Sequence, residues 1–157
     1  MRETILILDF GSQYTQLIAR RTREVGVYSE IVPCTAGIDK VKEIAPKGII
    51  LSGSPFSAYA ADAPTLSEEI FNLGIPVLGV CYGMQLMSLM FGGAVEPAET
   101  RGYGRSFIKI SDQKGLFRGC SSDLEVWMSH GDHVTKVPEG FVQPASAVDA
   151  PLSLIPI

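Results

Sequence analysis

Two periodicities alternate along the first eighty residues. Short runs of apolar and β-branched residues predict strands at "TILIL" (Thr4–Leu8), "YSEIV" (Tyr28–Val32), "GIILS" (Gly48–Ser52) and "PVLGV" (Pro76–Val80). Between them, "TQLIARRTREV" (Thr15–Val25), "GIDKVKEIA" (Gly37–Ala45) and "TLSEEIFNL" (Thr65–Leu73) carry helical patterns, the last opening on a Thr65-x-x-Glu68 capping box. Strands that are apolar throughout and separated by helices predict an open, mostly parallel, flavodoxin-like α/β sheet with helices on both faces. Ligands of such sheets sit beyond the carboxyl ends of the strands. Here those are the turns after Leu8, Leu51 and Val80, which read "DFGSQ", "SGSPFS" and "CYGMQ".

After Val95 the pattern changes to "SFIKI" (Ser106–Ile110), "LEVWM" (Leu124–Met128) and "GFVQPASAV" (Gly140–Val148), broken by Gly and Pro, which predicts a mixed or antiparallel extension. Trp127 falls in a strand pattern and is expected in the core. "RGYGRS", with Gly102 and Gly104, lacks the third glycine and the strand-before-helix setting of a phosphate site and is expected to be a loop. Ile70 to Val95 contains no charged residue, yet Pro76, Gly79, Gly83, Gly92 and Gly93 cut it, and Asn72 and Gln85 lie inside it. A strand, a turn and a buried helix are expected there, not a membrane span. The 157 residues show no repeat and no dividing linker, so one compact unit is expected.

Charge and composition narrow the partners. Seventeen acidic and thirteen basic side chains give net −4 with no basic block, so no nucleic-acid footprint is present. Three cysteines at irregular spacing suit a reducing, cytoplasmic setting better than a disulfide framework. "MRETILILDF" has too short an apolar stretch for a signal peptide and matches an opening strand. No P-loop, paired C-x-x-C or H-E-x-x-H occurs, so neither a nucleotide nor a metal is expected in this domain.

The candidate chemistry lies in "GVCYGMQ". Gly79 and Gly83 bracket Cys81 in a G-x-C-x-G spacing between a strand and a helix, the arrangement of a nucleophile elbow. The alternative is a small buried core residue, the reading retained for Cys34 and Cys120. The following helix, "GMQLMSLMFGG", would aim its unpaired N–H groups at the sulfur and favour thiolate over thiol. A thiolate attacking an acyl carbon needs donors for the oxyanion. The Tyr82 N–H is one candidate and the Ser54 N–H in "SGSP" a second, unless that stretch is an ordinary turn.

"ILILDFGSQYTQLIARRTREVGVYSEI", "ILSGSP", "GVCYGMQ" and "VWMSHGD" together resemble the class I (triad) glutamine amidotransferases, and within them the amidotransferase domain that opens the GMP synthases. The resemblance covers essentially the whole chain. It implies hydrolysis of the side-chain amide of L-glutamine through a thioester on Cys81, the ammonia passing to a synthetase domain, in the same or a separate chain, that aminates ATP-activated XMP. It assigns the Tyr82 and Ser54 amides to the oxyanion hole, Gln85 to the substrate, and Ser129, His130, Gly131 and Asp132 to the amino-acid end of glutamine. ATP and magnesium are implied only for the synthetase domain.

Two departures stand out. The family usually has glycine at the position of Ser54, and a positive φ there would cost a serine about 1–2 kcal/mol. The family also completes its triad with a histidine in an H-P-E segment, the glutamate orienting the imidazole. This chain has two histidines, His130 and His133, neither in such a segment, and His133 is expected as a solvated loop residue beside "SHGD". Residues 1–157 are therefore read as a class I amidotransferase domain lacking its His/Glu segment. The rival readings are an amidotransferase subunit of another pathway or a cysteine hydrolase on the same fold, and a non-catalytic docking module that has lost its base.

Overall fold

The computed structural model describes residues 3–147, apart from the side chains of residues 99–102, 129 and 130. Where the sequence predicted one compact unit, the chain divides into two, Met1–Leu86 and Met87–Ile157.

The first unit is the expected parallel sheet. β1 (Thr4–Asp9), β2 (Tyr28–Pro33), β3 (Gly48–Leu51) and β4 (Val77–Gly79) lie in the order β2-β1-β3-β4, all parallel. Leu6, Ile7, Leu8, Ile49 and Leu51 are essentially without solvent contact, as strands covered on both faces must be. α1 (Thr15–Glu24) leads from β1 outward to β2, whereas α2 (Ile38–Ile44) leads back across to β3. Right-handed crossovers in opposite directions put these helices on opposite faces. Arg23 fastens α1 to β2, donating from Nε to Ser29 Oγ at 3.0 Å and from Nη2 to Ser29 O at 2.7 Å.

The segment predicted as a helix over Thr65–Leu73 forms only a 3₁₀ turn at Glu68–Leu73. Its cap is not Thr65: Ser67 Oγ accepts from the Glu69 N–H at 3.3 Å. The capping-box spacing marked the right place but the wrong residue, because a serine two positions later is already extended at φ −73, ψ 131. α3 (Tyr82–Met90) follows β4 after two residues, and Tyr82 to Ser88 are buried without a break, the mark of a helix enclosed all round. No helix among the described residues is long and apolar enough to cross a membrane.

The second unit is built on a long hairpin. β5 (Ala94–Ile110) pairs antiparallel with β6 (Asp123–Lys136), and β7 (Ala145–Ala147) pairs antiparallel with the end of β5. Ile108, Ile110, Phe117, Ala145 and Ala147 pack together beneath Leu124, Val126 and Met128. Alternation then turns the intervening residues outward. Trp127 is accordingly 71% exposed, not in the core as expected, and Phe107 is 65% exposed. "RGYGRS" is strand, not loop, and the predicted strand at Gly140–Val148 shrinks to Ala145–Ala147, Val148 lying outside the described residues.

Candidate active site

Cys81 stands between the end of β4 and the start of α3 at φ +50, the left-handed region. Among the described residues only Ala45 shares that sign of φ without being glycine. Such a conformation costs a side-chain-bearing residue about 1–3 kcal/mol and persists where the surroundings impose it. Here the glycines on either side do so by close approach. A Cβ on Gly79 would stand 2.5 Å from Met84 N, and one on Gly83 would stand 2.4 Å from Leu51 O. Neither position tolerates a side chain, so strand end and helix start are pressed together and Cys81 is left at the apex.

Backbone hydrogen bonds lock the elbow to the neighbouring strand ends. The Val80 N–H donates to Leu51 O at 2.9 Å, and the Gly83 N–H donates to Ser52 O at 3.1 Å and to Val80 O at 3.0 Å. Ser52, fully buried, accepts at Oγ from the Phe10 N–H at 3.1 Å and so joins the ends of β1 and β3. Beneath the elbow, Tyr82 is 2% exposed, donates its hydroxyl to Pro64 O, and packs against Phe10 with ring centroids 5.4 Å apart. The turns after β1, β3 and β4 thus meet at one edge of the sheet, as the sequence predicted.

The two expected oxyanion donors lie on these turns, Ser54 after β3 and Tyr82 at the start of α3. Among the described residues, neither the Tyr82 nor the Ser54 N–H donates to a protein acceptor in the turns and loops. Ser54 is not among the residues at positive φ, so the strain feared for a serine here does not arise. Its hydroxyl accepts from the Phe56 N–H at 3.3 Å, closing a small turn across Pro55. Gln85 is buried at 5% exposure in the first turn of α3, its N–H donating to Cys81 O at 3.1 Å.

The ionisation of Cys81 departs from expectation. Burial pushes its thiol up, opposite to the lowered value that the start of α3 was expected to produce. Desolvation of a thiolate outweighs a helix dipole when no cation stands beside the sulfur. Cys34 is buried as predicted, and its thiol is raised by burial and then by the Asp9 charge. Cys120 is half-buried against the core of the second unit.

In the second unit the "SHGD" segment is part of β6, not a loop. Ser129 pairs with Tyr103, His130 with Gly102 and Asp132 with Pro97, and the pairing shifts between Pro97 and Gly102, beside Gly131. The side chains of Ser129 and His130 lie outside the described residues. His133 pairs with Glu96 and is half-buried with its Nδ1 closed off from solvent, so it is not the solvated loop residue expected. Ser12, in the turn after the first strand, has its Oγ 3.2 Å from where a Gly53 Cβ would stand.

Comparison with known proteins agrees with this geometry. The profile of the family described as glutamine amidotransferase class-I matches residues 6–152. A GMP synthase [glutamine-hydrolyzing] of Lacticaseibacillus casei is 55% identical over 152 residues, covering 96% of this chain and 29% of that protein. One of Bacillus cereus is 52% identical over 151 residues, covering 96% and 30%. The chain therefore spans under a third of the length of these curated relatives. Among solved structures, a Thermoplasma acidophilum protein described as one subunit of a GMP synthase superposes with TM-score 0.80 at 27% identity, covering 97% of this chain and 76% of that one. A glutamine amidotransferase of Thermotoga maritima shares the fold at TM-score 0.75 and 18% identity, covering 99% and 74%. With its elbow, its sheet order and a profile match across nearly its whole length, the chain belongs to the class I glutamine amidotransferases.

Proposed function

We propose that this chain is the glutamine-hydrolysing domain of a GMP synthase, with Cys81 as the nucleophile. The observation that carries the reading is the elbow itself: a strained non-glycine residue at φ +50, held between glycines that admit no Cβ. Strain of this kind has a use when it presents a reacting atom. Cys81 Sγ attacks the side-chain amide carbon of L-glutamine, and the Tyr82 and Ser54 N–H groups take the charge that gathers on the carbonyl oxygen. The C–N bond breaks, ammonia leaves with the thiol proton, and water then cleaves the thioester to glutamate and regenerates the thiol. Each oxyanion donor is worth about 2.7–4 kcal/mol in a transition state of this type.

Gln85 contributes to binding glutamine. The roles of Ser129, His130, Gly131 and Asp132 at the amino-acid end of the substrate rest on the resemblance alone. So does the passage of ammonia to a synthetase domain, in the same or a separate chain, that aminates activated XMP and is served by ATP and magnesium. No group of three or more His, Cys, Asp and Glu among the described residues is suited to a metal ion. Three free cysteines accord with a cytoplasmic setting.

The resting Cys81 is a thiol, raised by burial, so it needs a base to become a nucleophile near neutral pH. The matched pattern offers none among these 157 residues, whose histidines, His130 and His133, lie outside any H-P-E segment. Glutamine labelled at its side-chain amide nitrogen tests both parts. The chain alone is expected to release labelled ammonia slowly, at least about a hundredfold below a triad-complete relative, and to accumulate a γ-glutamyl group on the Cys81 peptide. Ordinary turnover by the chain alone contradicts the missing base. A γ-glutamyl group spread equally over Cys34 and Cys81, or absent from both, favours the docking-module reading instead.

A further inference from the structure

The hairpin of the second unit carries large apolar side chains on both faces. Ile108, Ile110, Val126 and Met128 turn inward and pack with Phe117, Ala145 and Ala147. An antiparallel sheet whose other face meets water turns polar side chains outward. Here the outward positions hold Tyr103, Phe107 and Trp127, which are 64%, 65% and 71% exposed. The register makes them neighbours: Trp127 stands opposite Arg105, and Tyr103 and Phe107 lie two positions to either side of Arg105 on β5. Diagonal neighbours of this kind are about 7–8 Å apart, within reach of aromatic side chains.

The charges on this face neutralise one another. Arg105 Nε lies 3.2 Å from Glu125 Oε1, and Lys109 stands opposite Asp123. The face therefore offers aromatic surface without net charge, which suits a protein partner and gives a nucleic acid or an anionic membrane nothing to hold. Trp, Tyr and Arg are also the residues on which protein contacts concentrate their energy. Size narrows the partner further. Three aromatic side chains, each about two-thirds exposed, present roughly 400 Å². Covering them removes roughly 800 Å² from the two sides together, which falls in the range of contacts between domains of one chain and below the roughly 1,200 Å² at which separate chains form stable complexes. A tether makes such a contact effective by raising the local concentration of the partner. In the curated relatives the matched stretch is 29–30% of a single longer chain.

We infer that this aromatic face of β5 and β6 is the docking surface for the synthetase domain of the same polypeptide. The inference rests on the reading of the chain as the glutamine-hydrolysing domain of a GMP synthase. β6 runs on from Trp127 into Ser129, which pairs with Tyr103. A domain seated on this face therefore adjoins the segment that the resemblance assigns to the amino-acid end of glutamine.

Hydroxyl-radical oxidation, mapped by peptide mass, tests this in three proteins. These are the chain alone, the chain extended through the H-P-E segment of the Lacticaseibacillus casei GMP synthase, and that full-length synthase with residues 1–157 in place of its matching stretch. Tyr103, Phe107 and Trp127 are expected to react equally in the first two and about fivefold more slowly in the third. In the full-length protein, Trp127→Glu should return Tyr103 and Phe107 to the rates of the chain alone and lower the share of labelled glutamine nitrogen recovered in GMP by at least about twofold. GMP formation from free ammonium should not change, which also shows that the variant is folded. Undiminished oxidation in a full-length protein that makes GMP from glutamine overturns the docking surface and leaves the proposed function standing. Protection already present in the extended domain assigns the face to the H-P-E segment, and protection that grows with the concentration of the chain alone assigns it to a second copy. Either result overturns the inference. A full-length protein that makes GMP from ammonium but not from glutamine removes the proposed function, and the docking inference with it.

Discussion

At Cys81 the backbone and the side chain want different things. The left-handed φ of +50 would suit glycine, yet the position carries a thiol. Replacing Cys81 by Ala keeps the strain, whereas replacing it by Gly releases it. Cys81→Gly should therefore be more stable than Cys81→Ala by about 1 kcal/mol, seen as a higher urea midpoint with an unchanged slope. The reverse order, usual inside helices and strands, would mean the elbow is not strained. The spacing of Gly79 and Gly83 made this residue legible from sequence, because only their lack of Cβ permits the approach to Met84 N and Leu51 O. The ionisation of the sulfur was not legible. A helix start can be read from a pattern of residues, but the burial that opposes it depends on loops distant in the chain.

Among the elements, the parallel strands were read to within a residue or two because β-branched runs buried on both faces have few alternatives. Thr65–Leu73 shows the limit of local rules. The capping-box spacing was present, yet the chain stays extended through Ser67 and turns only from Glu68. Ser67→Ala should lower stability by about 0.5–1 kcal/mol and Thr65→Ala by no more than a few tenths, measured by denaturant unfolding. Equal effects would restore the original capping assignment. β5 and β6 were read too short, since "RGYGRS" and "SHGD" carry glycines that resemble loop signals, and a bulged hairpin tolerates them. The same hairpin explains Trp127. Two-residue alternation fixes that one face is covered, as Val126 and Met128 are, but which residues take that face depends on what packs there.

For the whole molecule, the division into two units was hidden because no linker marks it: the boundary at Leu86 and Met87 falls inside α3. The titrating groups of the first unit make a prediction about the folded chain. Burial raises Cys34, Cys81 and Tyr82, Cys34 adding to the effect on Tyr82. Above the ordinary thiol value of about 8.5, the unfolded chain gives up protons that the fold retains, so it binds fewer and stability falls as pH rises. The stabilisation is complete below about pH 8 and is lost through the alkaline range until the folded groups ionise. Thermal midpoints should decline from about pH 8 to 10.5, and Cys34→Ala should flatten the decline. A midpoint that is level or rising over that range would contradict the assigned directions.

The most direct trial of the central claim is covalent labelling by a cysteine-directed glutamine analogue above about pH 8.5, mapped peptide by peptide. Modification concentrated on Cys81 and suppressed by added L-glutamine is the predicted result. Label shared evenly among Cys34, Cys81 and Cys120, or indifferent to glutamine, would contradict it.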